Sequence, residues 1–172
     1  MGKRKEKRRK NRGIKRKNFF SMYQFYNTGN ILSMKDNNMK DKEKLISEAS
    51  NAALRAYAPY SKFRVGAAVL ADDGTIYTGV NVENRSYGLT ICAERNAIAH
   101  AVAMGMKSIK AVAIYSPDSA DPLPPCGACR QVITEFSAPD AAVICCGSKG
   151  KAVEIPVSEL YPMDSLHDLK KN

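Results

Sequence analysis

Three cysteines in two short stretches constrain this chain more than anything else in it. Cys92 stands in Cys-Ala-Glu at 92–94, and Cys126 and Cys129 stand in Pro-Cys-Gly-Ala-Cys-Arg at 125–130. The Cys-x-x-Cys spacing puts two sulfurs on one side of a helical turn, close enough to share one metal ion. A third sulfur must then arrive from a segment more than thirty residues earlier, so the fold has to bring two distant turns together. No well-placed fourth protein ligand is visible. Structural zinc sites close their tetrahedron with four protein ligands, whereas catalytic ones keep a position for water. The stretches predict a hydrolytic zinc centre, with Glu94 placed to carry protons beside the open position.

The compartment fits that reading. Of five cysteines none lies in a secretory context: the N-terminus has basic residues but no apolar run long enough for a signal peptide, and no stretch could span a bilayer. Close Cys spacing in a reducing compartment favours metal binding over disulfides, and a cytoplasmic location is expected.

The net charge of +10 suggests a polyanion partner until its distribution is read. Of 27 Lys and Arg, 11 fall within residues 1–17, leaving 16; of 17 Asp and Glu, only Glu6 falls there, also leaving 16. The remainder is formally neutral and offers no electrostatic footprint for nucleic acid. Like charges and few apolar residues keep 1–17 from folding alone. Residues 18–40 carry aromatics without a clear period and then turn polar. The expected organisation is a basic extension and linker over 1–40 and one domain over 41–172. Met34 or Met39 is the expected natural start.

Leu45, Ala49, Ala52, Ala53 and Ala56 recur at helical spacing, predicting an amphipathic helix over 41–57 with Asp41 as N-cap and Ala58-Pro59 as its stop. Phe63–Leu70 and Ile76–Val80 read as strands joined through Asp72-Asp73-Gly74. Asn81–Thr90 is a polar loop. Helices are expected over Ile91–Met104 and Cys126–Phe136, both starting at ligand cysteines. Strands are expected over Ala111–Tyr115, Ala141–Cys146 and Ala152–Ile155, and Ser158 is expected to cap a last short helix. Strands following helical crossovers imply an α/β sheet with helices packed over it.

Cysteines at helix starts are chemically useful. Free N–H groups and the positive end of the helix dipole stabilise thiolate. Three thiolates leave the site with net negative charge, so at least one of Arg95 and Arg130 is expected to donate to a ligand sulfur and restore Lewis acidity. Cys145 and Cys146 read as strand packing residues, His100 as a helix residue away from the metal, and His167 as solvated.

Cys92-Ala93-Glu94 with Pro125-Cys126-Gly127-Ala128-Cys129-Arg130-Gln131 matches the zinc-deaminase signature in its all-cysteine form. Tyr57-Ala58-Pro59-Tyr60-Ser61-Lys62-Phe63-Arg64-Val65-Gly66 and Gly79-Val80-Asn81-Val82-Glu83-Asn84 extend the match. From about Lys44 to about Pro162 the chain resembles the small tetrameric cytidine deaminases of pyrimidine salvage. The resemblance implies a three-layer α/β/α fold with a mixed, mostly five-stranded sheet, a homotetramer, and Zn²⁺ on Cys92, Cys126 and Cys129. It implies hydrolytic deamination of cytidine and 2′-deoxycytidine, a zinc-activated water adding at C4 with Glu94 as proton shuttle. By position, Asn81 and Glu83 match binders of ribose hydroxyls, Phe63 the aromatic against the pyrimidine face, and Ala93 the residue whose backbone meets the base edge. Members commonly carry a Phe soon after Leu-x-Pro near the C-terminus; here Met163-Asp164-Ser165-Leu166 follows, so Met163 or Leu166 replaces that wall or the contact between subunits differs.

Three rivals remain at this level. A blasticidin S-type deaminase shares the zinc motifs, but Asn81-x-Glu83 favours cytidine. A polynucleotide deaminase could use the basic tail, against which stand the neutral domain and Cys92 where such enzymes usually carry His. A non-catalytic zinc module would need a fourth protein ligand.

Overall fold

The computed structural model of the protein describes residues 36–164 and Leu169. The basic run, the aromatic stretch, Met34, Leu166 and His167 lie outside the described residues. Within them the order is α1 (Asp36–Ala53), β1 (Gly66–Ala71), β2 (Ile76–Val80), a 3-10 turn (Tyr87–Leu89), α2 (Ala93–Ala103), β3 (Ile109–Ser116), α3 (Gly127–Phe136), β4 (Ser137–Gly147), β5 (Ala152–Pro156) and α4 (Val157–Leu160). One five-stranded sheet runs in the order β2-β1-β3-β4-β5. Only β3 and β4 are parallel, joined through the α3 crossover; the other neighbours are antiparallel. The expected mixed five-stranded sheet with flanking helices is what the chain forms.

Period-two alternation divides the core into two layers. Ala67, Val69, Val112, Ile114, Val143 and Cys145 face one side, where they pack with Ala93, Ala97, Ile98 and Ala101 of α2 and Ile133 of α3. Ala68, Ala113, Ile144 and Cys146 face the other, packing with Leu45 and Ala49 of α1. Full burial of a side chain such as Ile98 or Leu45 is worth about 1.5–3 kcal/mol. Small residues let the helices sit close. A Cβ on Gly66 would lie 2.1 Å from the Ala49 carbonyl oxygen of α1, and one on Gly79 would lie 2.2 Å from the Ala97 nitrogen of α2. Cys145 and Cys146 are both buried, and burial drives their thiols up to about 12 and about 11. They are packing residues, as their strand position predicts.

Several predicted boundaries are corrected. The first helix spans Asp36–Ala53 instead of 41–57, so Asp41 is an interior residue and no cap. Nothing in 36–40 breaks a helix, and a cap preference of about 1 kcal/mol does not halt one that can extend. The helix stops early because Tyr57 is drawn into bridge pairing with Val82: the Tyr57 N–H donates to the Asn81 carbonyl at 3.0 Å, and the Glu83 N–H donates to the Tyr57 carbonyl at 2.8 Å. Strand β1 begins at Gly66 and not Phe63, since Lys62 turns the chain at φ 60° and the Asn81 side chain takes the backbone groups of Phe63 and Val65. Strands β3 and β4 run longer than predicted at both ends. The last helix starts at Val157 after Pro156, so Ser158 lies inside it and does not cap it. Among the described residues no helix is long and apolar enough to cross a membrane.

Candidate active site

The two ligand stretches meet where α2 and α3 begin. Cys92 is the N-cap of α2 and Cys126 the N-cap of α3, both with extended backbone and neither using its side chain to cap. Their sulfurs are thus free for other work beside unpaired helix N–H groups. Cys129 lies one turn into α3 and is fully buried. The Cys92 and Cys126 sulfurs are 3.9 Å apart, and those of Cys126 and Cys129 are 3.5 Å apart. Among the described residues these three form the one group of potential ligands whose donor atoms all lie within 4.8 Å of one another. Tetrahedral zinc with bonds of about 2.3 Å needs sulfurs about 3.8 Å apart. Donor chemistry and spacing both fit zinc, with three corners of the tetrahedron supplied by protein.

Charge is managed from one side. Arg95 Nη2 donates to Cys92 Sγ at 3.6 Å and to the Thr90 carbonyl at 3.2 Å. A hydrogen bond from the Cys129 thiol, and then Arg95, pull Cys92 down to about 5; the same sulfur–sulfur bond and burial push Cys129 up. Arg130 behaves differently. Its Nε donates to the Pro125 carbonyl at 3.0 Å and its Nη1 to the Leu160 carbonyl at 3.2 Å. It ties the loop before Cys126 to the end of α4, whose last carbonyls have no helical partner.

Glu94, in the first turn of α2, is buried. Burial holds its carboxyl above the ordinary range, and the nearby Cys92 charge adds to the effect. A carboxyl raised this way is suited to picking up a proton and giving it back. Ala93 precedes it as the first residue of α2, fully buried. His100, further along α2, sets its Nδ1 3.3 Å from the Thr78 carbonyl and its ring edge-on to Tyr77, away from the sulfurs' turn.

The predicted nucleoside side of the site is built from residues 57–65 and 81–83. Val82 pairs with Tyr57 on one side and with Ile91 on the other, and Ile91 is the residue before Cys92. Backbone bonds of 2.9 and 3.0 Å between Val82 and Ile91 therefore fix Asn81 and Glu83 beside the metal stretch. Helix α2 adds a second tie: Asn96 Nδ2 donates to the Val80 carbonyl at 2.8 Å.

Asn81 and Glu83 both reach back across the sequence. Asn81 Nδ2 donates to the Phe63 carbonyl at 2.9 Å, and its Oδ1 accepts the Val65 N–H at 2.8 Å. Glu83 Oε2 accepts the N–H groups of Tyr60 at 2.8 Å and Ser61 at 3.2 Å, while Oε1 accepts the Ser61 hydroxyl. The Ser61 hydroxyl bond leads these in holding the Glu83 carboxyl below its ordinary range. The resemblance assigns these two residues to substrate; what the sequence did not show is that they shape the loop presenting Phe63, which is half-buried. Nor did it show the Arg64–Asp118 clamp. Arg64 Nε and Nη2 donate to the two Asp118 oxygens at 3.0 and 2.8 Å, and the Arg64 backbone N–H joins them at 2.8 Å. Ser61 had a local signal, a serine two residues before an N–H in a turn; Asp118, far along the chain, had none.

Comparison with known proteins agrees with this geometry. Residues 39–146 match the profile described as the cytidine and deoxycytidylate deaminase zinc-binding region. The chain is 52% identical over 122 residues to the cytidine deaminase of Sporosarcina psychrophila, covering 71% of this chain and 89% of that one. It is 48% identical over 122 residues to that of Halalkalibacterium halodurans, covering 71% and 92%. Among solved structures, the cytidine deaminase from Burkholderia pseudomallei superposes with a TM-score of 0.67 at 42% identity, over 70% of this chain and 95% of that one.

Proposed function

The chain belongs to the cytidine and deoxycytidylate deaminase family, and on that footing we propose that it hydrolyses the 4-amino group of cytidine and 2′-deoxycytidine. The products are uridine or 2′-deoxyuridine and ammonia. One observation carries the reading: three sulfurs all within 4.8 Å of one another, next to a buried glutamate and joined by a backbone ladder to the segment of Asn81 and Glu83.

Cys92, Cys126 and Cys129 would hold zinc, which when bound would lower the pKa of water beside Glu94. The protein's own groups do the rest. Glu94 removes a proton from the attacking water, delivers it to N3 of the pyrimidine, and then helps to protonate the amine leaving C4. Burial raises its carboxyl above the ordinary range, which favours taking up a proton. Phe63 lies against the base face, the Ala93 backbone meets the base edge, and Asn81 and Glu83 take sugar hydroxyls. Arg95 offsets the thiolate charge at Cys92.

We assign the working form as a homotetramer. In support, Tyr57, Tyr60, Val82, Tyr87 and Ile91 are exposed and tied together by the Tyr57–Val82–Ile91 bridges and the Tyr60–Tyr87 edge contact. Met163 is 88% exposed, free to reach a neighbouring chain's site. Sedimentation should give the mass of four chains; a monomer mass removes the assignment. Reduced thiols at the zinc site favour the cytoplasm, where the reaction would serve pyrimidine salvage.

Glu94→Ala tests the mechanism. It should keep about one zinc per chain and lose about 10²–10⁴-fold in turnover of cytidine, followed by ultraviolet absorbance. Near-wild-type turnover would overturn the proton-carrier role.

A further inference from the structure

We propose that Ser61 is a positioning residue that sets the Glu83 carboxylate for a single sugar hydroxyl and couples it to the position of Phe63. The inference rests on the nucleoside reading above and goes beyond it by naming what orients the sugar contact.

A carboxylate offers about four acceptor sites. On Glu83 three are taken by the loop itself: the N–H of Tyr60, the N–H of Ser61 and the Ser61 hydroxyl. One acceptor site is left for substrate. Which one is left depends on Ser61, because its two donors bind different oxygens of the carboxylate, Oε2 through N–H and Oε1 through the hydroxyl. Ser61 therefore fixes the rotation of the carboxylate plane as well as its place. Tyr60 alone would leave that rotation free.

The hydroxyl does a second task. Ser61 Oγ also accepts the Phe63 N–H, at 3.0 Å. Lys62 between them holds φ 60°, the left-handed turn that brings the Phe63 N–H back over the Ser61 side chain. On the far side of Phe63, its carbonyl is held by Asn81. One hydroxyl thus stands between the aromatic that meets the base and the carboxylate that meets the sugar. Base and sugar are gripped by parts that share a fixed spacing, and near-attack geometry at C4 depends on that spacing.

The test compares cytidine with 2′,3′-dideoxycytidine in wild type, Ser61→Ala, Ser61→Thr, Glu83→Ala and the Ser61→Ala/Glu83→Ala double variant. Ser61→Ala should lose about tenfold in kcat/KM on cytidine, the scale of one hydrogen bond to a charged group. On the dideoxy substrate its loss should be several-fold smaller, since only the Phe63 contact is then disturbed and no sugar hydroxyl is there to be met. Ser61→Thr, which keeps the hydroxyl, should restore most of the cytidine rate. The double variant should lose clearly less on cytidine than the product of the two single losses. Equal losses on both substrates for Ser61→Ala, or losses that add in the double variant, would overturn the positioning role and leave only loop stability. If Glu83→Ala itself treats both substrates alike, the sugar assignment of Glu83 falls, and the positioning role falls with it. Failure of Ser61→Ala alone, with Glu83→Ala discriminating, overturns the inference while sparing that assignment.

Discussion

Replacing Gly79 by alanine should separate the two halves of the site without touching a single functional side chain. The added Cβ would lie 2.2 Å from the Ala97 nitrogen, 2.5 Å from the Ala93 carbonyl oxygen and 2.8 Å from the Ala97 Cα. These are backbone atoms of α2, so no side chain can swing aside. To restore ordinary contact the helix must withdraw from β2 by about 1 Å. Overpacking of this kind costs about 1–3 kcal/mol, or about 3–12 °C in Tm for a domain of this size. The catalytic cost is larger, because α2 starts with Cys92, Ala93, Glu94 and Arg95 while β2 leads into Asn81 and Glu83. A misplacement of about 1 Å between reacting groups costs about 100-fold in kcat/KM. Gly66→Ala supplies the comparison. Its Cβ would lie 2.1 Å from the Ala49 oxygen and 2.4 Å from the Ala53 nitrogen, but of α1, which packs on the face of the sheet opposite α2 and carries none of the metal-site residues. Both variants should lose similar Tm. Cytidine kinetics well below either Tm should show a loss of about 100-fold for Gly79→Ala and a clearly smaller one for Gly66→Ala, whose helix leads into the loop before β1 and not into the cysteines or Glu94. Wild-type kcat/KM in folded Gly79→Ala, or equal losses in both, would refute the claim that helix position sets the rate.

Two further outcomes follow from the same geometry. Arg64 holds the Asp118 carboxyl down at about 2, below its ordinary value of about 4. A carboxylate depressed in the fold stabilises it above the ordinary value and loses that contribution as pH falls through the depressed one. Wild type should therefore lose stability between about pH 4 and pH 2 more steeply than Asp118→Asn; identical acid limbs in unfolding scans would contradict the clamp. Cys145→Ala should keep about one zinc per chain at a cost of about 1 kcal/mol, whereas Cys129→Ala should lose the metal, as metal analysis with denaturant titration would show.

The metal half of the site was legible because its logic is local. A ligand spacing of three and a helix start can be seen within a dozen residues, and both stretches form as read. The assignment of Phe63, Asn81 and Glu83 to a nucleoside rests on resemblance alone. The physical work of Asn81 and Glu83 lies in hydrogen bonds to residues 16 to 23 positions away, and no periodicity encodes those. The same long-range pairing defeated the boundaries. Tyr57 has good helical neighbours but is captured by Val82, so tertiary pairing overrode local propensity there. At least one of Arg95 and Arg130 was expected at a sulfur; Arg95 takes that place on Cys92, and Arg130 does not. Its guanidinium instead satisfies the carbonyls of Pro125 and Leu160, and the latter could not be placed nearby without the fold.

The two-sided core bears on how this chain tolerates length changes. Cys145 and Cys146 are neighbours in β4, yet one belongs to the layer of α2 and α3 and the other to the layer of α1. Losing one codon before them would turn every following β4 side chain to the wrong layer, because a strand's facing repeats every two residues. The same loss in the loop between Asp118 and Cys126 would leave the facing of every strand residue unchanged. Length variation among descendants of this sequence should therefore collect in the proline-rich stretch after Ser116 and in the turns, and be absent from β1, β3 and β4.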